Sequence, residues 1–395
     1  MKIFWKEIID VNAIAQLENC MIDWAIGVMT ADAHYGYSMP VWGCIAYPNH
    51  ISLSGVGFDI GCGNKAVKTN IKVGTIDIAY VMEMVRQEIG FWLGRPNPEP
   101  VDHIVLHKIK NANFAWQRQF YDMAVQQLGT VWSGNHYVDI FEWDDWYIWI
   151  GVHFWSRWFW HKTTTWFIAL SQGWTFNDHW KEWAMDSKPI LFDMNTELWQ
   201  SYFEAMSLAG EYAYAGRDIV CNKVLEILWG ISLYEVHNHH NFARKEKHFG
   251  NDYYVVRKWC TPAFPWQLWF IGSNMFDTSV IVEWVDSEES KLGLYSTVHW
   301  AGRIMWRRVA AGSWKRKDGE RVQVKEWLVN FENTKQKAKE NWVYLVWAWA
   351  DESPECYKNL SEVLKYQWDT IKVLHTLKPI WVAMAWHDIY DPYKD

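Results

Sequence analysis

An excess of basic charge, clustered cysteines, long apolar runs and proline-rich linkers are all missing from this 395-residue chain. Lysine and arginine number 38 against 46 acidic residues, a formal net charge of -8. That balance excludes a protein that coats nucleic acid over its whole surface and leaves only a local basic patch for such a role. The cysteines, at positions 20, 44, 62, 221, 260 and 356, form no Cys-x-x-Cys pair and no dense framework. A secreted disulfide scaffold is thereby excluded, and a reducing, cytoplasmic setting is expected. Lys2, Lys6, Glu7 and Asp10 stand where a signal peptide needs an unbroken apolar core. The most apolar stretch, 146–160, contains Gly151, His153 and Arg157 and makes a poor membrane span. Glycine is scarce beside tryptophan, 23 against 32. A buried indole needs room for two rings and a partner for its N–H, so this many are hard to place well.

What is present reads as a large α+β enzyme. Half of the residues are hydrophobic, and no linker, internal repeat or low-complexity tract divides the chain. One continuous α+β domain over 1–395 is expected, with mixed and antiparallel sheets flanked by helices. Apolar spacing predicts helices over 11–20, 77–92 and 113–128, a long one over 196–217 and a second over 218–230. Strands and turns are predicted between 43 and 71, over 137–142 and 147–150, and repeatedly between 253 and 298, with helices near 353–366. The segment 172–195 reads as a loop insertion over the site.

The stretch Gly55-Val56-Gly57-Phe58-Asp59-Ile60-Gly61-Cys62-Gly63-Asn64 carries the first chemical signal. Its glycines force tight turns in an apolar run and hold a carboxylate and a thiol three residues apart. Both can face one point, and a thiolate can bridge two metal ions. Around it in sequence come Asp32-Ala33-His34, Gly134-Asn135-His136, His153 with Ser156-Arg157, His237-Asn238-His239-His240-Asn241, and His299-Trp300-Ala301-Gly302-Arg303. In this order and at these separations the motifs resemble the RtcB-type RNA-splicing ligases, from about Asp32 to the C-terminus.

The resemblance implies a two-metal site in which Cys62 bridges, Asp59 and His136 complete one ion, and His153 and His240 the other. It implies two Mn2+ ions, whereas the soft thiolate alone points to Zn2+. His239 reads either as a neighbour that orients a ligand or as a rival ligand. It further implies that His299 attacks the α-phosphorus of GTP to form a histidine–GMP adduct. Nucleotide contacts carried over by the resemblance are Asn135, Asn241, Asp139, Asn274, Ser279, Ala301, Gly302, Tyr357 and Lys394. The expected substrate is RNA with a 3′-phosphate or 2′,3′-cyclic phosphate and a 5′-hydroxyl end, gripped by Arg303, Arg307, Arg308, Lys315 and Arg316. An archease-like activator is the further partner the family suggests. A dinuclear metal phosphoesterase remains as an alternative, since the five ligands suffice for it without His299; so does a noncatalytic metal- or RNA-binding relative, because tryptophan replaces glycine or another small or polar residue at many family positions. These are Trp42, Trp132, Trp155, Trp158, Trp160, Trp259, Trp266, Trp300, Trp381 and Trp386. A chain altered or designed on a family template, with its polar motifs kept and its glycines lost, would read the same way.

Overall fold

A computed structural model of the chain describes residues 1–91, 95–131, 134–143, 146–175, 185–265, 267–317, 320–367 and 369–384, with the backbone alone at 157–160, 308, 313–317 and 320–325. Two sheets carry the fold. The larger has eight strands, in the order Leu268–Ile271, Ser279–Trp284, Ile371–Met384, Tyr137–Trp143, Tyr147–Phe154, Gly63–Lys72 and Ser232–His239, with Tyr344–Val346 pairing in parallel to the long strand Ile371–Met384. The smaller has five, in the order Lys2–Ile3, Ile26–His34, Val41–Tyr47, Asn251–Lys258 and Phe242–His248. Helices flank both, so the observed class is the α+β arrangement expected from the sequence.

Period-2 alternation sets the two faces of the larger sheet. Val67, Ile148, Ile150 and Val152 point toward Val220 and Val224 of the helix Glu197–Leu228. Ala66, Phe141 and Trp149 point the other way, onto Phe270 and Ile281. A third core lies under the smaller sheet, where Ile45, Tyr47 and Val256 cluster with Tyr202, Ala205, Met206 and Ala209 of the same helix. That helix therefore serves both sheets.

Thr196 starts it by accepting from the Trp199 amide. It runs unbroken to Leu228 instead of dividing near 217 as the spacing predicts. No proline or cap residue interrupts the ladder there, and Gly216 lies against Phe154, with 3.2 Å from an added Cβ to the ring. The predicted helix over 113–128 does divide, into Ala115–Gln119 and Tyr121–Gln127, because Phe120 leaves helical geometry (φ -95, ψ 14). The helices predicted at 11–20 and 77–92 form as Val11–Asn19 and Ile78–Glu88, each with an aspartate cap at Asp10 or Asp77. Part of 172–195 docks on the protein: Leu191–Asp193 pairs with His50–Ser52, and the Met185 carbonyl accepts from the Ser38 amide at 3.0 Å. Among the described residues no helix is long and apolar enough to cross a membrane.

Candidate active site

The chain passes from the larger sheet to the smaller at His240 and Asn241, between the strands Ser232–His239 and Phe242–His248. The turn carrying Cys62 enters the larger sheet at the same place. Register then decides which side chains meet. Gly63 pairs with His239 on one side and Phe154 on the other, and Asn64 pairs with Asn238 and His153. A Cβ at Gly63 would fall 2.0 Å from the Asn238 carbonyl oxygen, so only glycine lets the strands close there. The His240 amide donates to the Cys62 carbonyl at 2.9 Å. Residues far apart in sequence are thus brought around one point by backbone pairing.

The ligand atoms of Cys62, His153 and His240 lie within 4.8 Å of one another, all three buried. Cys62 Sγ is 3.7 Å from His153 Nε2. The other ring nitrogen of His153 is 2.7 Å from Asn64 Oδ1, while the Asn64 amide nitrogen donates to the Phe270 carbonyl. Asn64 is therefore an acceptor toward His153, which places the ring proton on Nδ1 and leaves the Nε2 lone pair facing Cys62. His240 is fully buried with neither ring nitrogen hydrogen-bonded. Such an imidazole is costly unless it is a ligand, so the donor set fits a divalent ion.

Electrostatics agree. Burial, reinforced by His299 and His153, holds His240 well below the usual histidine range, and burial with His299 and Arg217 does the same to His153. Both are neutral, as metal ligands must be. Burial and the Asp59 carboxylate push the Cys62 thiol well above its ordinary value, with Arg217 opposing. Asp59 and His136, the other two expected ligands, stand beside the three rather than among them. The Cys62 amide donates to the Asp59 carbonyl, and the His136 ring lies 5.5 Å from that of His153.

His299 adjoins the cluster, its ring centroid 4.3 Å from that of His240. It is buried, and indoles surround it. Trp42 Nε1 donates to His299 Nδ1 at 2.6 Å, and the Trp259 ring stands edge-on at 5.4 Å. Burial takes His299 down to about 3 against an opposing bond to the Trp259 backbone. Asp32 lies behind it, with Oδ2 3.8 Å from Nδ1 and without a hydrogen-bond partner, while Oδ1 accepts from Thr30. Trp300 fills the space between His153, 5.3 Å away, and Tyr357, 6.4 Å away, and its ring rests on Gly272. Position 300 does not take positive φ, whereas Trp42, Trp259 and Gly302 do.

The nucleotide candidates divide. Asn135 reaches the cluster, its amide nitrogen 3.4 Å from His153 Nε2. Asn241 spends its amide on the Val56 carbonyl and the Trp259 amide, and Asn274 accepts from the amides of Phe276 and Asp277 in a local turn. Ser279 accepts from the Ser273 amide. Asp139 accepts from the Ala383 amide, and burial raises its pKa well above the carboxylate range. Ala301 and Gly302 are buried, Gly302 against Asp32. The Tyr357 hydroxyl joins Arg303 and Glu352, and the Arg303 guanidinium stacks 4.8 Å over its ring.

The basic patch is less open than its sequence implies. Arg303 donates to the Asp351 carbonyl, and Arg307 pairs with the carboxylates of Asp351 and Glu352. Lys315 and Arg316 fall on a two-stranded ribbon, Ser313–Lys317 with Glu320–Lys325, whose side chains, like that of Arg308, lie outside the described residues. Lys394, Trp132, Trp266 and Trp386, with the side chains of Trp158 and Trp160, also lie outside them.

Sequence reading assigned no role to Asp32, Asn64 or Arg217. Arg217 is fully buried and bonds the carbonyls of Gly61 and Phe154, His237 Nε2 and His239 Nδ1. It ties His239 into the support of the cluster. An arginine on the apolar face of a helix was the available signal.

Comparison with known proteins gives the family. The chain is 27% identical over 383 residues to the RNA-splicing ligase RtcB of Escherichia coli (strain K12), covering 88% of this chain and 87% of that protein. It is 23% identical to the tRNA-splicing ligase RtcB of Methanococcus maripaludis, over 84% and 82% of the two chains. It is also 23% identical to that of Thermococcus kodakarensis, over 75% and 76%. The family model described as tRNA-splicing ligase RtcB matches residues 10–90 and 105–385, and the chain belongs to the RtcB family.

Proposed function

We propose that this chain is an RNA ligase working through His299. The neutral imidazole attacks the α-phosphorus of GTP; an N–P bond forms and the bond to pyrophosphate breaks. GMP then passes to an RNA 3′-phosphate, itself released from a 2′,3′-cyclic phosphate by water. The 5′-hydroxyl of a second RNA end displaces GMP and closes the phosphodiester. The observation that carries the reading is the juxtaposition of a buried Cys62, His153 and His240 cluster with the His299 ring, 4.3 Å from that of His240.

Manganese ions held by Cys62, His153 and His240, with Asp59 and His136 beside them, would neutralise triphosphate charge; zinc also fits this donor set. The chain's own residues supply the rest. Asn64 fixes the His153 tautomer. Asn135 offers an amide at the edge of the cluster. Asp32 Oδ2, 3.8 Å from His299 Nδ1, would hold Nδ1–H and expose the Nε2 lone pair once the Trp42 N–H no longer donates to that nitrogen. RNA contacts fall to the ribbon bearing Lys315 and Arg316, since Arg303 and Arg307 are engaged with Asp351 and Glu352.

Long incubation with GTP labelled at the α-phosphate and Mn2+ tests this. An acid-labile label on the chain, lost in His299→Ala, is expected. No label, or one that survives the substitution, removes the mechanism. The second reading, a metal-binding relative without turnover, is favoured by the indoles of Trp42, Trp259 and Trp300 packed around His299. Bound metal with no label would support it.

A further inference from the structure

Among the described residues, 12 non-glycine positions have positive φ, and eight of them are tryptophan. Left-handed backbone is strained for any L residue and most for bulky ones; asparagine and aspartate tolerate it best. Neither asparagine nor aspartate is among the 12. The bias runs against the physics of the side chain.

Local hydrogen bonding identifies what those positions are built for. The helix Arg157–Ser171 ends with the Gly173 amide bonded to the Leu170 carbonyl and the Trp174 amide to the Ala169 carbonyl, with Gly173 at φ 73. The helix Glu197–Leu228 ends the same way, Trp229 to Glu226 and Gly230 to Leu225, with Trp229 at φ 55. So does the helix Phe331–Glu340, Trp342 to Lys339 and Val343 to Ala338, with Trp342 at φ 57. In this termination motif the left-handed residue is ordinarily glycine. Trp24 sits third in a four-residue turn closed by the Ala25 amide on the Ile22 carbonyl, at φ 65, again a glycine position. The indoles of Trp24, Trp229 and Trp342 are 84%, 89% and 87% exposed, so packing does not explain them.

Two members of the set, Trp42 (φ 65) and Trp259 (φ 59), are the indoles on His299. Trp42 does more than fill space. Its N–H makes Nδ1 an acceptor, so the ring proton must sit on Nε2, the nitrogen that should attack. Asp32 Oδ2, 3.8 Å away and unpartnered, would set the opposite tautomer. Trp300 buries an indole N–H without a partner in the gap between His153 and Tyr357.

We propose that positions 42, 259 and 300 are glycine positions of the active site, encoded with the other misplaced tryptophans by a codon that the protein's own cells read as glycine, and that glycine there frees His299 to take its working tautomer. One codon, UGA, is assigned to tryptophan in some genetic codes and to glycine in others. A single reassignment accounts for helix ends, turns and the active site together. The effect on His299 rests on the ligase reading; the glycine assignment does not.

The test has separable arms. Peptide masses of the protein isolated from its own cells should show glycine at 24, 42, 229, 259, 300 and 342; tryptophan there overturns the assignment. In the recombinant chain, Trp24→Gly, Trp229→Gly and Trp342→Gly together should raise the unfolding temperature, and an unchanged or lower value overturns it as well. In Trp42→Gly at a pH above about 8, where Asp32 is ionised, histidine-selective 15N spectra, with the His299 signal identified by its loss in His299→Ala, should show the ring proton moved from Nε2 to Nδ1. An unmoved proton overturns the tautomer argument. Trp42→Gly/Trp259→Gly/Trp300→Gly should label with GTP at least tenfold faster than the parent. Failure to label with the proton moved and the masses as expected would instead sink the ligase reading.

Discussion

Replacing Trp229 with glycine isolates a backbone effect almost free of packing. The residue is 89% exposed and follows the last turn of a 32-residue helix, held at φ 55, ψ 33 by two amide bonds to the Glu226 and Leu225 carbonyls. An L residue pays about 1–2 kcal/mol for left-handed backbone. Glycine removes that cost but enlarges the conformational freedom of the unfolded chain, giving back about 0.4–1 kcal/mol. The net gain is about 1 kcal/mol. At roughly 2 cal/mol/K of unfolding entropy per residue, 395 residues give about 0.8 kcal/mol/K, so the midpoint rises only about 1 °C. Urea unfolding is the better assay, read as a shift in midpoint at constant slope. Trp229→Ala is the control: it deletes the indole but keeps the strain, and should match the parent within about 0.5 kcal/mol. Equal stability of the glycine and alanine variants would refute the reasoning.

Other predictions follow from the buried polar groups. Asn64→Ala should weaken Mn2+ or Zn2+ binding about 10–100-fold by calorimetry with the fold retained, because His153 loses the acceptor that fixes its tautomer; unchanged affinity would remove that role. Arg217→Met should cost about 2–6 kcal/mol in urea unfolding, since the carbonyls of Gly61 and Phe154 lose their donor, at about 1–3 kcal/mol each. Stability should fall as pH drops from about 6.5 to 4: burial, first among the causes, takes His34, His161 and His237 down to about 4, so the unfolded chain binds more protons than the folded one in that window. Asp32, pushed up to about 7 by burial, and Asp139, raised well above the carboxylate range by burial, work the other way, two groups against the three and His299, which burial takes down to about 3. Urea midpoints at pH 7 and pH 5 check the sign, and a higher midpoint at pH 5 would contradict it.

The fold class was legible because alternation and helical spacing are local properties: the strands at 137–143 and 147–154 and the helices at 11–19 and 78–88 follow from them. Helix continuity was not. No proline or cap residue stops the ladder at 217, and what spacing cannot report is that Arg217, on the apolar face, finds four partners in other elements. The same limit applies to the basic patch. Arg303 and Arg307 read as free charge until Asp351 and Glu352, more than 40 residues on, are brought against them.

The cluster itself was readable from motif order, but the feature governing its chemistry was not. His299 can be named from sequence, yet which of its nitrogens carries the proton is decided by whether Trp42 or Asp32 holds Nδ1, a choice made by a few ångströms between the strands Ile26–His34 and Val41–Tyr47. Those strands slip register between Met29 and His34, the span opposite Trp42. A glycine at 42 could hold the same backbone at no steric cost while leaving Asp32 as the acceptor. The tryptophan takes on the strain and inverts the hydrogen bond. The abundance of tryptophan, visible in the composition, and the tautomer of His299, visible only in the fold, therefore meet at position 42, where Trp42→Gly decides the tautomer.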